Sequence, residues 1–220
     1  MKQKAIRPID LFLKRLGDIL ISLILIVLLF VIPVFEIVFI AVWLSSKGPA
    51  LFKQQRVGRD KKLFLMYKFR TMIVEQYDEN GNEIMSEDRI TPVGRILRKT
   101  SLDELPQLFN ILNGTMSFIG PRPMLDYQAE QCDEIEDGRF AMRPGMTGWA
   151  QVKGRNNIPW TERIKYDLEY INNFSIWFDL KIIWQSVLIV FKKDGTEVHA
   201  EWRGVDKFSK HYNPNPIDSQ

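Results

Sequence analysis

Ile19-Leu-Ile-Ser-Leu-Ile-Leu-Ile-Val-Leu-Leu-Phe-Val-Ile-Pro-Val-Phe-Glu-Ile-Val-Phe-Ile-Ala-Val-Trp-Leu-Ser-Ser46 carries a single charge, Glu36. At about 1.5 Å of rise per residue, a straight helix of this length exceeds the roughly 30 Å hydrocarbon core of a bilayer. Its apolar run is too long for a cleaved signal peptide, and no small-x-small site follows it. Pro33 falls near the middle, where a missing N–H and a ring clash kink or break a helix. The flanks do not differ in charge. Lys2, Lys4, Arg7, Lys14 and Arg15 precede the segment, and Lys47, Lys53, Arg56, Arg59, Lys61 and Lys62 follow it. A spanning helix keeps its basic residues on one side. Basic flanks at both ends therefore favour a helix–break–helix that enters and leaves through one leaflet. Glu36, just past the break, is tolerable if the apex is shallow or covered by protein.

Working outward, residues 1–18 read as a basic amphipathic helix with Leu11, Phe12 and Leu16 spaced to lie on a membrane surface. Ala50 to Val57 and Leu63 to Met72 are candidate strands joined by a turn at Gly58-Arg-Asp-Lys61, a small β-hairpin. Residues 76–88 form a polar loop. Short helices are expected at 91–98, 102–112, 124–137, about 160–172 and 179–192, with loops at Gly120-Pro-Arg-Pro123 and Arg143 to Trp149. The last helix is apolar on most faces and suits either a packed core or the bilayer interface, where tryptophan prefers to lie. The expected fold is α+β, mostly helical. Residues 1–48 form the membrane element, 49–193 a globular domain and 194–220 a polar tail.

At 45% hydrophobic and 26% charged, the 220-residue chain is neither disordered nor wholly membrane-buried. Cys132 is the only cysteine, so no intrachain disulfide forms, which suits a reducing cytoplasm. With only His199 and His211, a histidine metal site is improbable, and any metal is a hard cation on carboxylates and phosphates.

Thr100-Ser-Leu-Asp-Glu-Leu-Pro106 admits two readings. Ser101-x-x-Glu104 matches a capping box, with acidic residues gaining from the helix dipole. The same position keeps a carboxylate ionised, as a nucleophile or metal ligand must be. Asp103 and Glu104 can face one pocket, one attacking phosphorus or holding Mg²⁺ and the other assisting proton transfer. Cations suited to phosphate surround the pair in sequence. Lys68 and Arg70 alternate on one strand face, Arg95 and Arg98 share a helical side, and Arg122 lies between prolines. Arg143, Lys153 and Arg155 punctuate a stretch with Gly145, Gly148 and Gly154, which allow a backbone close to a ligand. Walker and Rossmann fingerprints are missing.

The ordered motifs Lys68-Phe-Arg-Thr-Met72, Ser101-Leu-Asp-Glu-Leu-Pro-Gln107, Met116-Ser-Phe-Ile-Gly-Pro-Arg-Pro123 and Arg143-Pro-Gly-Met-Thr-Gly-Trp-Ala-Gln-Val-Lys-Gly-Arg-Asn156 resemble the bacterial sugar transferase family, the monotopic phosphoglycosyl transferases. Similarity runs from about Lys14 to Lys193. The resemblance implies a re-entrant helix in the bacterial inner membrane, a cytoplasmic active site and Mg²⁺ as cofactor. It also implies transfer of a sugar-1-phosphate from a UDP-sugar to undecaprenyl phosphate. Carried onto this chain, Asp103 becomes the nucleophile and Mg²⁺ ligand, and Glu104 its acid/base or orienting partner. Lys68, Arg70, Arg98, Arg122 and Arg155 become candidate phosphate, carboxylate or nucleotide contacts. Family members often carry Ser-Pro at the break where this chain has Ile32-Pro33, and Glu36 is unusual there. Lacking extra apolar helices ahead of the segment, the chain resembles the small, minimal-core type.

A rival reading is a non-catalytic adaptor whose basic patches bind anionic membrane lipids; it leaves the ordered Asp-Glu and Arg motifs unexplained. Nucleic-acid binding is disfavoured, because the cations are dispersed among acidic residues. A homodimer is one assembly left open, and the sugar transferred is not legible.

Overall fold

Proline decides the architecture at residue 33. The computed structural model describes residues 7–75, 77, 88–154, 158–192 and 207–208. In it, helix α1 (Pro8–Val31) and helix α2 (Val34–Ser45) meet at Ile32-Pro33 with a bend of 67°. Among the described residues, no single helix is long and apolar enough to cross a membrane, but this bent pair passes that test together. The expected separate amphipathic helix at the N-terminus is not separate: its residues from Pro8 run unbroken into the apolar arm.

Two compact units divide the chain, one built from Met1–Asp18, Gln55–Phe64 and Gly114–Gln220, the other from Ile19–Gln54 and Leu65–Asn113. The second unit holds the bend. Leu20, Ile24, Val27, Val31, Ile40 and Leu44 stand exposed along its two arms. The opposite side of α2 is packed. Val38 and Val42 are buried in one cluster with Ala50, Phe69 and Leu97, flanked by Leu102 and Leu105. Phe35 lies 5.3 Å from Phe30, 5.0 Å from Phe69 and 5.9 Å from Phe109, ring centre to ring centre. Such an aromatic set buries large area with preferred tilted geometries.

The expected hairpin is present as strands β1 (Leu51–Val57) and β2 (Leu63–Phe69), a two-stranded sheet closed by the Gly58 N–H donating to Lys62 O at 2.8 Å. Helix α3 (Pro92–Thr100) starts where expected: Thr91 caps it by accepting from Gly94 N at 2.9 Å, with proline in the first turn. The expected helix over 102–112 is instead a 3-10 turn at Leu102–Glu104 followed by helix α4 (Gln107–Asn113). The capping box does not form. Ser101 is left-handed (φ 58°), terminates α3 and makes no side-chain cap hydrogen bond. Pro106, which lacks the N–H that an α-helix through the turn would use, gives a local reason for the break.

In the first unit, strand β3 (Ser117–Ile119) pairs in parallel with strand β4 (Gly145–Thr147), Ser117 opposite Gly145 and Ile119 opposite Thr147. Helices α5 (Asp126–Ala129), α6 (Trp149–Gly154), α7 (Trp160–Asn172) and α8 (Ile176–Lys192) complete it. The stretch expected to be helical over 124–137 is reduced to α5 and a later 3-10 segment, Glu136–Ala141. One cluster joins Ile119, Met142, Trp149, Tyr170, Ile171 and Ile182; another joins Val57, Met124, Ala129, Phe140, Ile164 and Phe208. Phe208, from the segment read as a polar tail, is fully buried, and Gln128 Nε2 donates to its carbonyl. On α8, Ile182 is buried in the core, whereas Trp177 and Trp184 are exposed. The polar loop over 76–88 lies largely outside the described residues.

Candidate active site

Strand β2 presents Lys68 toward the turn that follows α3. Lys68 Nζ donates to Glu104 Oε1 at 2.7 Å, with both side chains mostly shielded from solvent. Asp103 precedes Glu104 on the same 3-10 turn. Burial pushes its carboxyl above the usual aspartate value, Lys68 opposes that, Glu104 adds to it, and Arg98 opposes it. The turn is held by Leu102 and Leu105, which pack against the cluster of Val38 and Val42 from α2, Ala50, Phe69 and Leu97. This explains a partly desolvated acid flanked by two cations, an environment that tunes reactivity.

The remaining candidates separate. Arg98, exposed on α3, donates from Nε to Thr71 Oγ1 at 2.9 Å and stays electrostatically coupled to Asp103. Arg70 does not share Lys68's direction. Strand β2 ends at Phe69, and buried Arg70 donates from Nη2 to Ser46 O at 2.7 Å and from Nη1 to Lys47 O, capping the exit of α2. Arg122 belongs to the first unit. Its backbone carbonyl accepts from Arg139 Nη2 at 2.8 Å, and its charge, after burial, helps lower the Arg56 guanidinium to about 10. Arg155 lies outside the described residues. Gly145 and Gly148 both pack against the Gly120 backbone, with Gly120 N donating to Thr147 O at 3.0 Å. Lys153 lies over the Trp149 ring at 4.6 Å, and Arg143 Nε donates to Gly114 O at 2.8 Å.

Thr71 was not singled out by sequence. It stood inside the Lys68–Met72 motif, but the available signal was the spacing of Gly94 and Arg98, one helical turn apart on a single face of α3. Gly94 packs so closely on the Thr71 carbonyl that a Cβ there would collide with it, and Arg98, one turn later, reaches the Thr71 hydroxyl.

Among the described residues, no three histidine, cysteine or carboxylate side chains cluster as a closed metal cage. A pair such as Asp103 and Glu104 fits a hard cation that keeps water and takes phosphate oxygens as further ligands, which is how Mg²⁺ binds. Glu104 is already engaged by Lys68, leaving Asp103 as the better-suited ligand.

The second unit thus brings together a partly buried carboxylate pair, a lysine ion-paired to it and an arginine whose charge acts on it, in the same unit as the bent apolar helix pair. The chain belongs to the bacterial sugar transferase family, whose description it matches over residues 9–193. It is 37% identical over 204 residues to the undecaprenyl-phosphate galactose phosphotransferase of Salmonella typhimurium, covering 84% of this chain and 41% of that protein. Similarity to the UDP-glucose:undecaprenyl-phosphate glucose-1-phosphate transferase of Escherichia coli is 42% identity over 193 residues, 84% of this chain and 40% of that one. The uncharacterized sugar transferase EpsL of Bacillus subtilis is 41% identical over 187 residues, 85% of this chain and 91% of its own length. The chain thus spans about two fifths of the Salmonella and Escherichia relatives and nearly all of the Bacillus one.

Proposed function

We propose that this chain transfers a sugar-1-phosphate from a UDP-sugar to undecaprenyl phosphate at the cytoplasmic face of a bacterial inner membrane. The observation that carries the reading is Asp103: a partly buried carboxylate on which the charges of Lys68 and Arg98 act, on a turn whose Leu102 and Leu105 pack into the cluster that includes Val38 and Val42 of α2. The reactions printed in the names of the Salmonella and Escherichia relatives support the same substrate classes.

In the first step an Asp103 carboxylate oxygen attacks the β-phosphorus of the UDP-sugar. The bond from that phosphorus to the bridging oxygen breaks, UMP departs with the electron pair, and an aspartyl-phosphosugar remains. In the second step a phosphate oxygen of undecaprenyl phosphate attacks the same phosphorus. The Asp103 carboxylate leaves, giving polyprenol-diphosphate-sugar. No net proton is consumed if each attacking oxygen is already ionised. Lys68 and Arg98 offset the negative charge that repels an anionic nucleophile from a diphosphate. Lys68 also fixes Glu104 beside Asp103, where it orients the nucleophile. Asp103 would hold Mg²⁺, which supplies charge neutralisation of the phosphate oxygens when bound.

The α1–α2 pair acts as a re-entrant anchor. Its exposed arms lie in lipid, and both ends return to the cytoplasmic side, so the turn that packs into the cluster shared with α2 stays near headgroup depth, where a lipid phosphate lies. The test incubates the full chain in lipid nanodiscs with undecaprenyl phosphate, Mg²⁺ and a panel of UDP-sugars, and follows UMP. Release with at least one sugar, abolished by Asp103→Asn, is expected. No UMP with any sugar would favour the lipid-binding adaptor instead.

A further inference from the structure

Arg70 and Thr71 are adjacent in sequence and turn to two different elements of one unit. The Arg70 guanidinium takes the carbonyls of Ser46 and Lys47, where α2 ends, and its own N–H donates to Ala50 O at 2.8 Å. Gly48, with φ +110°, lets the exit loop wrap this side chain; a Cβ at that position would collide with Arg70 Nη1. Thr71, 8% exposed, faces α3. Its carbonyl accepts from Thr91 N at 3.1 Å, its backbone is packed on Gly94, and its hydroxyl accepts from Arg98 Nε.

Geometrically the consequence is specific. An arginine side chain on an exposed helix face has several rotamers of similar energy, and ordering one costs side-chain entropy. A hydrogen bond to Nε leaves both terminal nitrogens of the fork available while fixing the plane in which they lie. Thr71 therefore sets the orientation of the guanidinium without occupying the end that would meet a phosphate. Arg70 holds Thr71's own backbone in register with the end of the apolar helix.

We propose that Arg70-Thr71 is a positioning dipeptide: Thr71 fixes the plane of the Arg98 guanidinium at the end of α3, just ahead of the turn that carries Asp103, and Arg70 locks that arrangement to the exit of α2. Neither side chain needs to touch substrate. This assignment rests on the transferase reading above, and it replaces the expected role of Arg70 as a phosphate contact.

Nanodisc-reconstituted full-length protein with a UDP-sugar that the wild type turns over gives the test. Thr71→Val is expected to lower kcat/KM by about 10- to 100-fold, the range that loss of a hydrogen bond to a charged group allows. Thr71→Ser, which keeps the hydroxyl, should stay within about threefold of wild type on the same scale. In an Arg98→Lys background, where the Nε contact is already gone, Thr71→Val should cost less than about twofold, because coupled residues are not additive. Arg70→Lys should lower kcat with little change in KM for the UDP-sugar. If Thr71→Val melts early, Thr71→Ala, which cannot clash, must reproduce the loss. Wild-type rates in Thr71→Val or Thr71→Ala, equal damage from Thr71→Ser, or an undiminished cost in the Arg98→Lys background would each overturn the positioning role and leave the transferase reading intact. So would a higher KM at unchanged kcat in Arg70→Lys, which marks a ligand contact. Absence of UMP release by the wild type with every sugar would overturn both.

Discussion

Lys68 Nζ and Glu104 Oε1 lie 2.7 Å apart, so the strand that closes the hairpin is pinned to the turn carrying Asp103. A pair this shielded loses more when one partner is removed than it contributes as a pair, because the survivor is left partly desolvated. Lys68→Met is therefore expected to lower UMP release by about 10²-fold, in the range of a lost acid–base or orienting group. Glu104→Gln, which keeps a hydrogen-bond acceptor for Lys68, should cost less if Glu104 orients Asp103 and as much or more if it transfers a proton. Initial rates of both variants at saturating donor separate the two roles.

The environment of Asp103 gives this site a pH signature. Burial raises its carboxyl above the usual 3.8, with Glu104 adding and Lys68 and Arg98 opposing. Attack requires the ionised form, so kcat/KM should rise with pH through a value above 3.8 and then level off. Removing Lys68 moves that acid limb upward, and removing the Glu104 charge moves it downward. The sign for stability is the reverse of a salt-bridged aspartate. A folded-state value above the unfolded one means the folded protein gains stability as pH falls through it, and at neutral pH the ionised carboxylate is a net cost. Asp103→Asn should abolish transfer yet raise Tm at pH 7 without Mg²⁺. A lower Tm would show that the ionised carboxylate stabilises the fold.

The 67° bend at Ile32-Pro33 suits either a re-entrant pair or a broken span, and the two differ in topology. If the pair re-enters, Arg7→Cys and Lys47→Cys, exposed at the outer end of α1 and just beyond α2, should react with a membrane-impermeant maleimide from the same side of sealed inverted vesicles. Labelling from opposite sides would mean that the pair spans. Native Cys132 should stay silent in this assay, since burial lifts its thiol to about 11 and leaves on the order of 1 in 10³ to 10⁴ as thiolate near neutral pH.

Much of this arrangement could be read from residues, and the failures have local causes. Pro33 announced the break because its missing N–H acts whatever surrounds it. The helix expected at 91–98 formed, its start fixed by a Thr91 cap and the preset φ of Pro92. Ser101-x-x-Glu104 misled because a capping box is only an offer of hydrogen bonds. Here Ser101 ended the preceding helix, and Lys68, 36 positions away, took the Glu104 carboxylate. Arg70 misled in another way. Alternation along a strand puts residues 68 and 70 on one face only while the strand continues, and β2 stops at Phe69. Asp103 itself was legible as a chemical group, but the tuning of its proton depends on burial and on charges brought in by folding.

In the first unit, Arg139 and Asp167 form an ion pair at 2.7 Å with side chains 1% and 2% exposed. Arg139 Nε donates to the same carboxylate oxygen at 3.1 Å, and its Nη2 also donates to the carbonyl of Arg122 between the two prolines. Burial raises the Asp167 carboxyl, and Arg139, with a smaller contribution from Arg163, opposes that. Arg139→Met strands a buried carboxylate and should cost about 3–5 kcal/mol, as broken buried pairs do. It should also loosen the Pro121–Pro123 loop, because one donor to that backbone disappears. The Arg139→Met, Asp167→Leu double variant removes both charges and should recover a large part of the loss. Thermal melts of the three proteins in the same detergent check this: a double variant no more stable than the single one would mean that the pair stabilises the fold by more than its mutual desolvation, through the Arg122 carbonyl it carries.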